Sequence, residues 1–163
     1  MNIVLIGMPT CGKSTVGVVV AKMLGLAFVD TDILIQNREG KKLKDIIDEK
    51  GNDGFEKVES AVIENISVDN TVIATGGSAV YAPKAMARLK EIAKVVYLAV
   101  DIEEIEKRMT DMRNRGVVFK KGQGVRELYL EREPLYEKYA DYVVSEKGKT
   151  LEQTVEAVVN LFE

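Results

Sequence analysis

The chain has 163 residues, 46% of them hydrophobic and 30% charged, with a net charge of −3. That length is enough for one domain with a sizeable core, the composition is that of a soluble globular protein, and a pI of about 5.3 argues against the basic stripe of a nucleic-acid-binding surface. The absence of histidine excludes His-ligated metal sites and leaves any general base to a carboxylate, Lys, Tyr, Cys or water, while a single cysteine excludes an internal disulfide and suits the reducing cytoplasm.

The first apolar run, Ile3 to Ile6, does not alternate, as expected of a strand buried on both faces of a parallel sheet. It leads at once into Gly7-Met8-Pro9-Thr10-Cys11-Gly12-Lys13-Ser14, so no signal peptide is expected, and no apolar run approaches the roughly 18 residues of a membrane span. The octapeptide fits G-x-x-x-x-G-K-S/T in its required setting of strand, loop and helix. Its glycines let backbone N–H groups converge on a phosphate chain, and the helix dipole adds positive potential. Lys13 is suited to reach the β- and γ-phosphates, and the Ser14 hydroxyl to ligate Mg²⁺. Gly7, Thr10, Cys11, Gly12, Lys13, Ser14 and Thr15 are therefore the candidate ATP contacts from this stretch. N–H groups at the helix end could lower the Cys11 pKa, so that alkylation would block nucleotide binding.

The following helix places Val16, Val19, Val20, Met23 and Leu24 on one side and ends at Gly25. Leu26 to Val29 is a second strand, closed by Asp30-Thr31-Asp32. A short helix from Leu43 to Lys50 stops at Gly51, and Phe55 to Ile66 is a longer one with a 3.6-residue period. Thr71 to Thr75 is a third strand, ended by Gly76-Gly77-Ser78, and Pro83 opens a helix to about Ile92. Val95 to Leu98 is a fourth strand, followed by a helix over roughly Ile102 to Met112 that is capped by Asp101, with Glu104 closing a capping box. Residues 113–124, with three glycines and four basic residues, read as a mobile loop. Val125 to about Tyr139 is helical with a kink or break before Pro134, Tyr142 to Val144 is a fifth strand, and Thr150 and Gln153 form a capping box for a last helix striped by Leu151, Val155, Val158, Val159 and Phe162. Five short strands separated by helices predict a single α/β domain, a doubly wound parallel sheet with ligands at the carboxyl ends of its strands.

Asp30 and Asp32, two apart at a strand end, can both face the phosphate loop: one carboxylate serves Mg²⁺ and the other an acceptor hydroxyl, as base or orienter. The alternative is that Asp32 merely caps the next helix while Asp30 sits in the turn. Gly76 and Gly77 allow close approach of backbone N–H groups to a ligand. Arg113 and Arg115 are candidates to close over the triphosphate, and the kink at Pro134 would turn Arg132 inward; otherwise Arg132 pairs on the surface with Glu131 or Glu137.

With these residues placed, the chain resembles the shikimate kinase family over almost its whole length. The resemblance rests on Gly7 to Ser14, Asp30-Thr31-Asp32, Phe55 with Glu59, Ala74-Thr75-Gly76-Gly77, Arg108, Arg115, and Glu131-Arg132-x-Pro134-Leu135-Tyr136 followed by Ala140-Asp141. It implies a P-loop fold like that of the nucleoside monophosphate kinases, with a closing lid at about 113–124, and transfer of the ATP γ-phosphoryl group, with Mg²⁺, to the 3-hydroxyl of shikimate on the way to chorismate and the aromatic amino acids. By the same resemblance Asp32 orients the hydroxyl and Ser14 and Asp30 serve the metal. Gly77, with Gly76, contacts the acceptor, Arg132 binds its carboxylate, Arg115 reaches the phosphates and Arg108 stacks on adenine. Lys13, Asp32 and Arg115 are the expected catalytic residues; the expected protein is a cytoplasmic enzyme and, by default, a monomer.

Three positions depart from the family pattern, all on the acceptor or lid side. Glu56 stands where an Arg usually grips the acceptor carboxylate, Ser78 replaces the third Gly, and Arg115-Gly116-Val117-Val118 replaces Arg-Pro-Leu-Leu. A charge-assisted bond of roughly 1.5–3 kcal/mol is thereby absent, a factor of about 10 to 150. Shikimate leads as acceptor; a related polyol or sugar acid, or a nucleotide-binding protein with little kinase activity, are the alternatives.

Overall fold

The structure, a computed structural model, describes residues 1–110 and 117–163. Five parallel strands form one sheet in the order β2-β3-β1-β4-β5: β1 (Ile3–Ile6), β2 (Ala27–Asp30), β3 (Thr71–Ala74), β4 (Lys94–Ala99) and β5 (Tyr142–Ser145). Their β-branched, unalternated runs suit burial on both faces, and every residue of β1 and β3 is buried. The sheet edges, β2 and β5, are more open.

The helices are α1 (Lys13–Leu24), α2 (Thr31–Glu39), α3 (Leu43–Glu64), α4 (Pro83–Ile92), α5 (Ile102–Thr110), α6 (Val125–Tyr139) and α7 (Leu151–Val159), with a short 3₁₀ turn at Ala79–Tyr81. From β1 the chain crosses to β2 on one side, and from β3 to β4 on the other. Right-handed crossovers in opposite directions put α1 and α4 on opposite faces. α7 packs beside α1, and α4 and α6 against β4. Among the described residues no helix is long and apolar enough to cross a membrane.

Several local expectations are corrected. A helix, α2, does follow β2, but its cap is Asp30, whose Oδ1 accepts from the Asp32 N–H at 2.9 Å; Asp32, the cap in the alternative reading, lies in the first turn instead. The break expected at Gly51 is present: the helix before it and the helix after it meet there in a non-helical conformation, φ 71° and ψ 175°, and together make up α3. α6 continues through Pro134 unbroken. The carbonyl that loses its partner there belongs to Leu130, an exposed residue. Val19 and Met23 of α1 and Leu151 of α7 are exposed, so the buried stripe of α1 is Val16, Gly17, Val20 and Ala21. Glu104 accepts from Arg108 Nε at 3.0 Å. The capping box of Thr150 and Gln153 forms as expected.

Candidate active site

The loop after β1 turns through positive φ at Thr10 (68°) and Gly12 (91°), and Gly12 caps α1. Lys13 is buried, with Nζ donating to the carbonyls of Gly7 (2.9 Å) and Met8 (2.8 Å), which folds the ammonium back over the loop it belongs to. The Thr10 hydroxyl is buried without a partner. Arg108 of α5 donates from Nη1 to the Thr10 carbonyl at 2.9 Å, so the loop is braced from the β4 side. Ser14 Oγ donates to Asp30 Oδ2 at 2.7 Å, joining the start of α1 to the end of β2. Cys11 is fully buried, and burial pushes its thiol pKa up against the pull of Lys13. The expected lowering by helix N–H groups is thus corrected: desolvation of the thiolate outweighs them.

Asp32 and Glu59 flank Gly76, each with an oxygen 2.8 Å from where a Cβ of that residue would lie. Burial, then the Asp30 carboxylate, push the Asp32 pKa up to about 6, with Lys13 opposing. Burial likewise raises Glu59 to about 7, the hydrogen bond from Ser78 Oγ (2.7 Å to Oε1) pulling the other way. Glu59 Oε2 is buried and unpartnered. The Ser in place of a third Gly therefore supplies a donor to a carboxylate otherwise short of them.

Arg132 of α6 is 1% exposed. Nη2 donates to the Val118 carbonyl at 2.9 Å, Nε to Tyr81 Oη at 3.3 Å, and the guanidinium lies 5.2 Å from the Tyr81 ring centroid. A Cβ on Gly77 would stand 2.8 Å from Arg132 Nη1 and 2.9 Å from Pro9 Cδ, so only glycine lets the β3 loop pass between them. Tyr136, one turn on, donates to the Gly77 carbonyl at 2.7 Å. Val118 packs in a second apolar cluster with Ile35, Leu43, Ile46, Phe55 and Val62. Val118 by packing, and Phe119 through the Asn52 bond, tie this part of the expected loop to α3. Glu56 is half-buried; burial, then Asp53, raise its pKa, against Arg132 and Lys120. It sits on one face of α3 between Asn52, which donates to the Phe119 carbonyl at 2.6 Å, and Glu59.

These groups converge on one cavity of about 500 Å³. Of the residues expected from the sequence, Thr10, Gly12, Lys13, Ser14, Thr15, Asp32, Gly76, Gly77, Arg108 and Arg132 line it. Gly7, Cys11 and Asp30 lie behind that lining, in contact with Lys13 or Ser14. Arg113 and Arg115 lie outside the described residues. Phe55, Glu59, Ser78, Val117 and Val118 also line the cavity without having been given a role from sequence. Glu59 had a signal, a carboxylate within the buried stripe of α3; Tyr81 had none.

The donors present fit magnesium and a nucleotide. Ser14 Oγ, on the cavity wall, and Asp30 Oδ2, which accepts from it just behind that wall, are hard oxygens beside the phosphate loop, and among the described residues no group of three or more metal-ligating side chains forms a dedicated cage. Mg²⁺ usually takes only one or two protein oxygens beside phosphate and water. The orphaned Thr10 hydroxyl and the Lys13 ammonium add donors for phosphate oxygens.

A phosphate loop on β1 opening into a cavity with a carboxylate and a buried arginine opposite defines a P-loop small-molecule kinase. The family profile described as shikimate kinase matches residues 9–163, and the chain belongs to the shikimate kinase family. It is 39% identical over 161 residues to the shikimate kinase of Francisella tularensis subsp. holarctica (strain FTNF002-00 / FTA), covering 96% of this chain and 92% of that protein. It is 38% identical over 164 residues to that of Paracidovorax citrulli (strain AAC00-1), covering 97% and 90%. A solved structure of shikimate kinase from Acinetobacter baumannii in complex with shikimate matches with a TM-score of 0.90 at 31% identity, covering 98% of this chain and 91% of that one.

Proposed function

We propose that this chain transfers the γ-phosphoryl group of ATP, with Mg²⁺, to the 3-hydroxyl of shikimate. The observation that carries this reading is the single cavity joining Lys13 and Ser14 to Asp32 and Arg132. Phosphoryl transfer through a loose transition state needs positioning and charge stabilisation more than covalent chemistry. Loop N–H groups and Lys13 hold the β- and γ-phosphates, and Arg108 flanks the base. Ser14 and Asp30 hold magnesium, which when bound neutralises charge on the phosphates. Arg132 pairs with the acceptor carboxylate, and backbone groups at Gly76 and Gly77 align the ring. Asp32 accepts a hydrogen bond from the 3-hydroxyl and takes its proton as the oxygen–phosphorus bond forms and the γ-phosphorus-to-bridging-oxygen bond breaks, releasing ADP. Arg115 is inferred from the family resemblance to reach the phosphates. The reading also assigns the enzyme to the cytoplasm, consistent with its single, reduced thiol.

ADP release with MgATP and a panel of shikimate, quinate, gluconate and homoserine tests the proposal. Stimulation by shikimate is expected; stimulation by another member alone, or by none, would overturn it.

A further inference from the structure

The mechanism uses Arg132 and leaves its neighbour Glu131 without a task. The two carboxylate oxygens of Glu131 collect three donors from two other parts of the chain. Oε1 accepts from Tyr81 Oη at 2.6 Å and from Lys120 Nζ at 3.0 Å, and Oε2 accepts from Gln123 Nε2 at 3.0 Å. Tyr81, in turn, accepts from Arg132 Nε at 3.3 Å and lies beneath its guanidinium. Arg132 Nη2 reaches the Val118 carbonyl at 2.9 Å. The contacts therefore close a ring, from Glu131 through Tyr81, Arg132 and residues 118–123 back to Glu131. Within the segment, Lys120 N–H donates to Gln123 Oε1 (3.1 Å) and Gln123 N–H to the Lys120 carbonyl (3.0 Å). Asn52 holds Phe119 from α3.

An isolated exposed Lys–Glu pair would carry little weight. A carboxylate with three donors, in a network that includes a buried arginine, is a different case. Tyr81 first, then Lys120, hold the Glu131 pKa below the usual carboxylate range.

We propose that Tyr81 and Glu131 are positioning residues that hold the Arg132 guanidinium towards the acceptor and latch residues 117–124 over the same cavity, so that anchoring the acceptor and excluding water occur together. The proposal rests on the reading of Arg132 as the acceptor anchor. Without the latch, Arg132 loses its Tyr81 partner and the segment its ties to α6. The acceptor is then held less well, and water reaches the γ-phosphate more often.

Tyr81→Phe keeps the ring under Arg132 and removes the hydroxyl; Glu131→Gln keeps the shape and removes the charge; Glu131→Asp keeps the charge. The first readout is amide hydrogen exchange of the full chain without substrates. Residues 117–124 should exchange about tenfold faster in Tyr81→Phe and Glu131→Gln, less so in Glu131→Asp, with β1 and β4 unchanged. The second is steady-state kinetics: the shikimate KM should rise about tenfold, the ATP KM should stay within twofold, and more than one ADP should form per acceptor phosphorylated. Parental exchange in 117–124, faster exchange in β1 and β4 as well, or a joint rise of both KM values would overturn the latch. Should the parent fail to phosphorylate shikimate, the proposed function falls, and exchange in 117–124 still decides the latch.

Discussion

Burial and the Asp30 carboxylate push the Asp32 pKa from 3.8 up to about 6, so at neutral pH the fold carries a charge that it holds less well than the protonated form. Two consequences follow for this carboxylate. In the proposed mechanism this carboxylate must be ionised to accept the hydroxyl proton, so kcat/KM should fall about tenfold per pH unit below pH ~6; a rate flat down to pH 5 would contradict the assignment. For stability the sign is opposite. A folded-state pKa above the unfolded one favours the fold fully below pH ~4, and that contribution is lost as pH rises through about 6. Asp32→Asn, freed of a burden of at most about 3 kcal/mol, should therefore raise Tm by several degrees at pH 8 while abolishing acceptor-dependent turnover and sparing ATP affinity. Calorimetry at pH 8 and pH 4 tests the difference, which should vanish at the lower pH. Glu56, on the same face of α3 as Asn52 and Glu59, feels the charge of Arg132, the residue proposed to anchor the acceptor. Glu56→Arg should lower the shikimate KM by about tenfold, the worth of one charge-assisted hydrogen bond; an unchanged KM would mean that this side chain does not face the acceptor.

Helix α3 carries Phe55, Glu56 and Glu59, and its direction is set at Gly51. The conformation there, φ 71° and ψ 175°, is one that essentially only glycine adopts, and a Cβ would meet nothing within 4 Å. Gly51→Ala should thus cost about 1–3 kcal/mol through backbone strain alone, a Tm lower by roughly 3–10 °C in thermal melts; a loss within 1 °C would argue against the bend. Sequence reasoning placed breaks at Gly51 and Pro134, and the structure treats the two differently. At Gly51 the local rule held and the chain bends. At Pro134 the helix does not break: Arg132 and Tyr136, four residues apart, are both buried on one face, and α6 stays helical across the missing N–H. The bounds of α2 are not legible in the sequence because Ile33-Leu34-Ile35 shows no helical period, and only Thr31 and Ile35 of that helix are buried.

Across the whole molecule the strand order divides the work. β1, central in the sheet, carries the phosphate loop; β2 and β3 on one side carry Asp30 and the approaches to Asp32 and Gly76; β4 on the other leads into α5 and Arg108. MgATP should accordingly slow amide exchange chiefly over residues 8–14, and shikimate over 52–59 and 117–123. Protection of the same peptides by both ligands would argue against two adjoining half-sites. The phosphate-loop side of the cavity was legible because its motif is contiguous and its chemistry fixes each residue type. The acceptor half was legible only in part, since it is assembled from α3, the 3₁₀ turn after β3 and α6, which meet only in the fold; the Tyr81 hydroxyl between Arg132 and Glu131 has no local signature. The fully buried Cys11 has a practical consequence as well. It is the chain's only cysteine, and its thiol is sealed beneath the phosphate loop, so the native surface offers no thiol to a labelling reagent. A cysteine introduced at the exposed Lys121 would take up a maleimide dye by itself, giving a reporter on residues 117–124 without altering the phosphate loop.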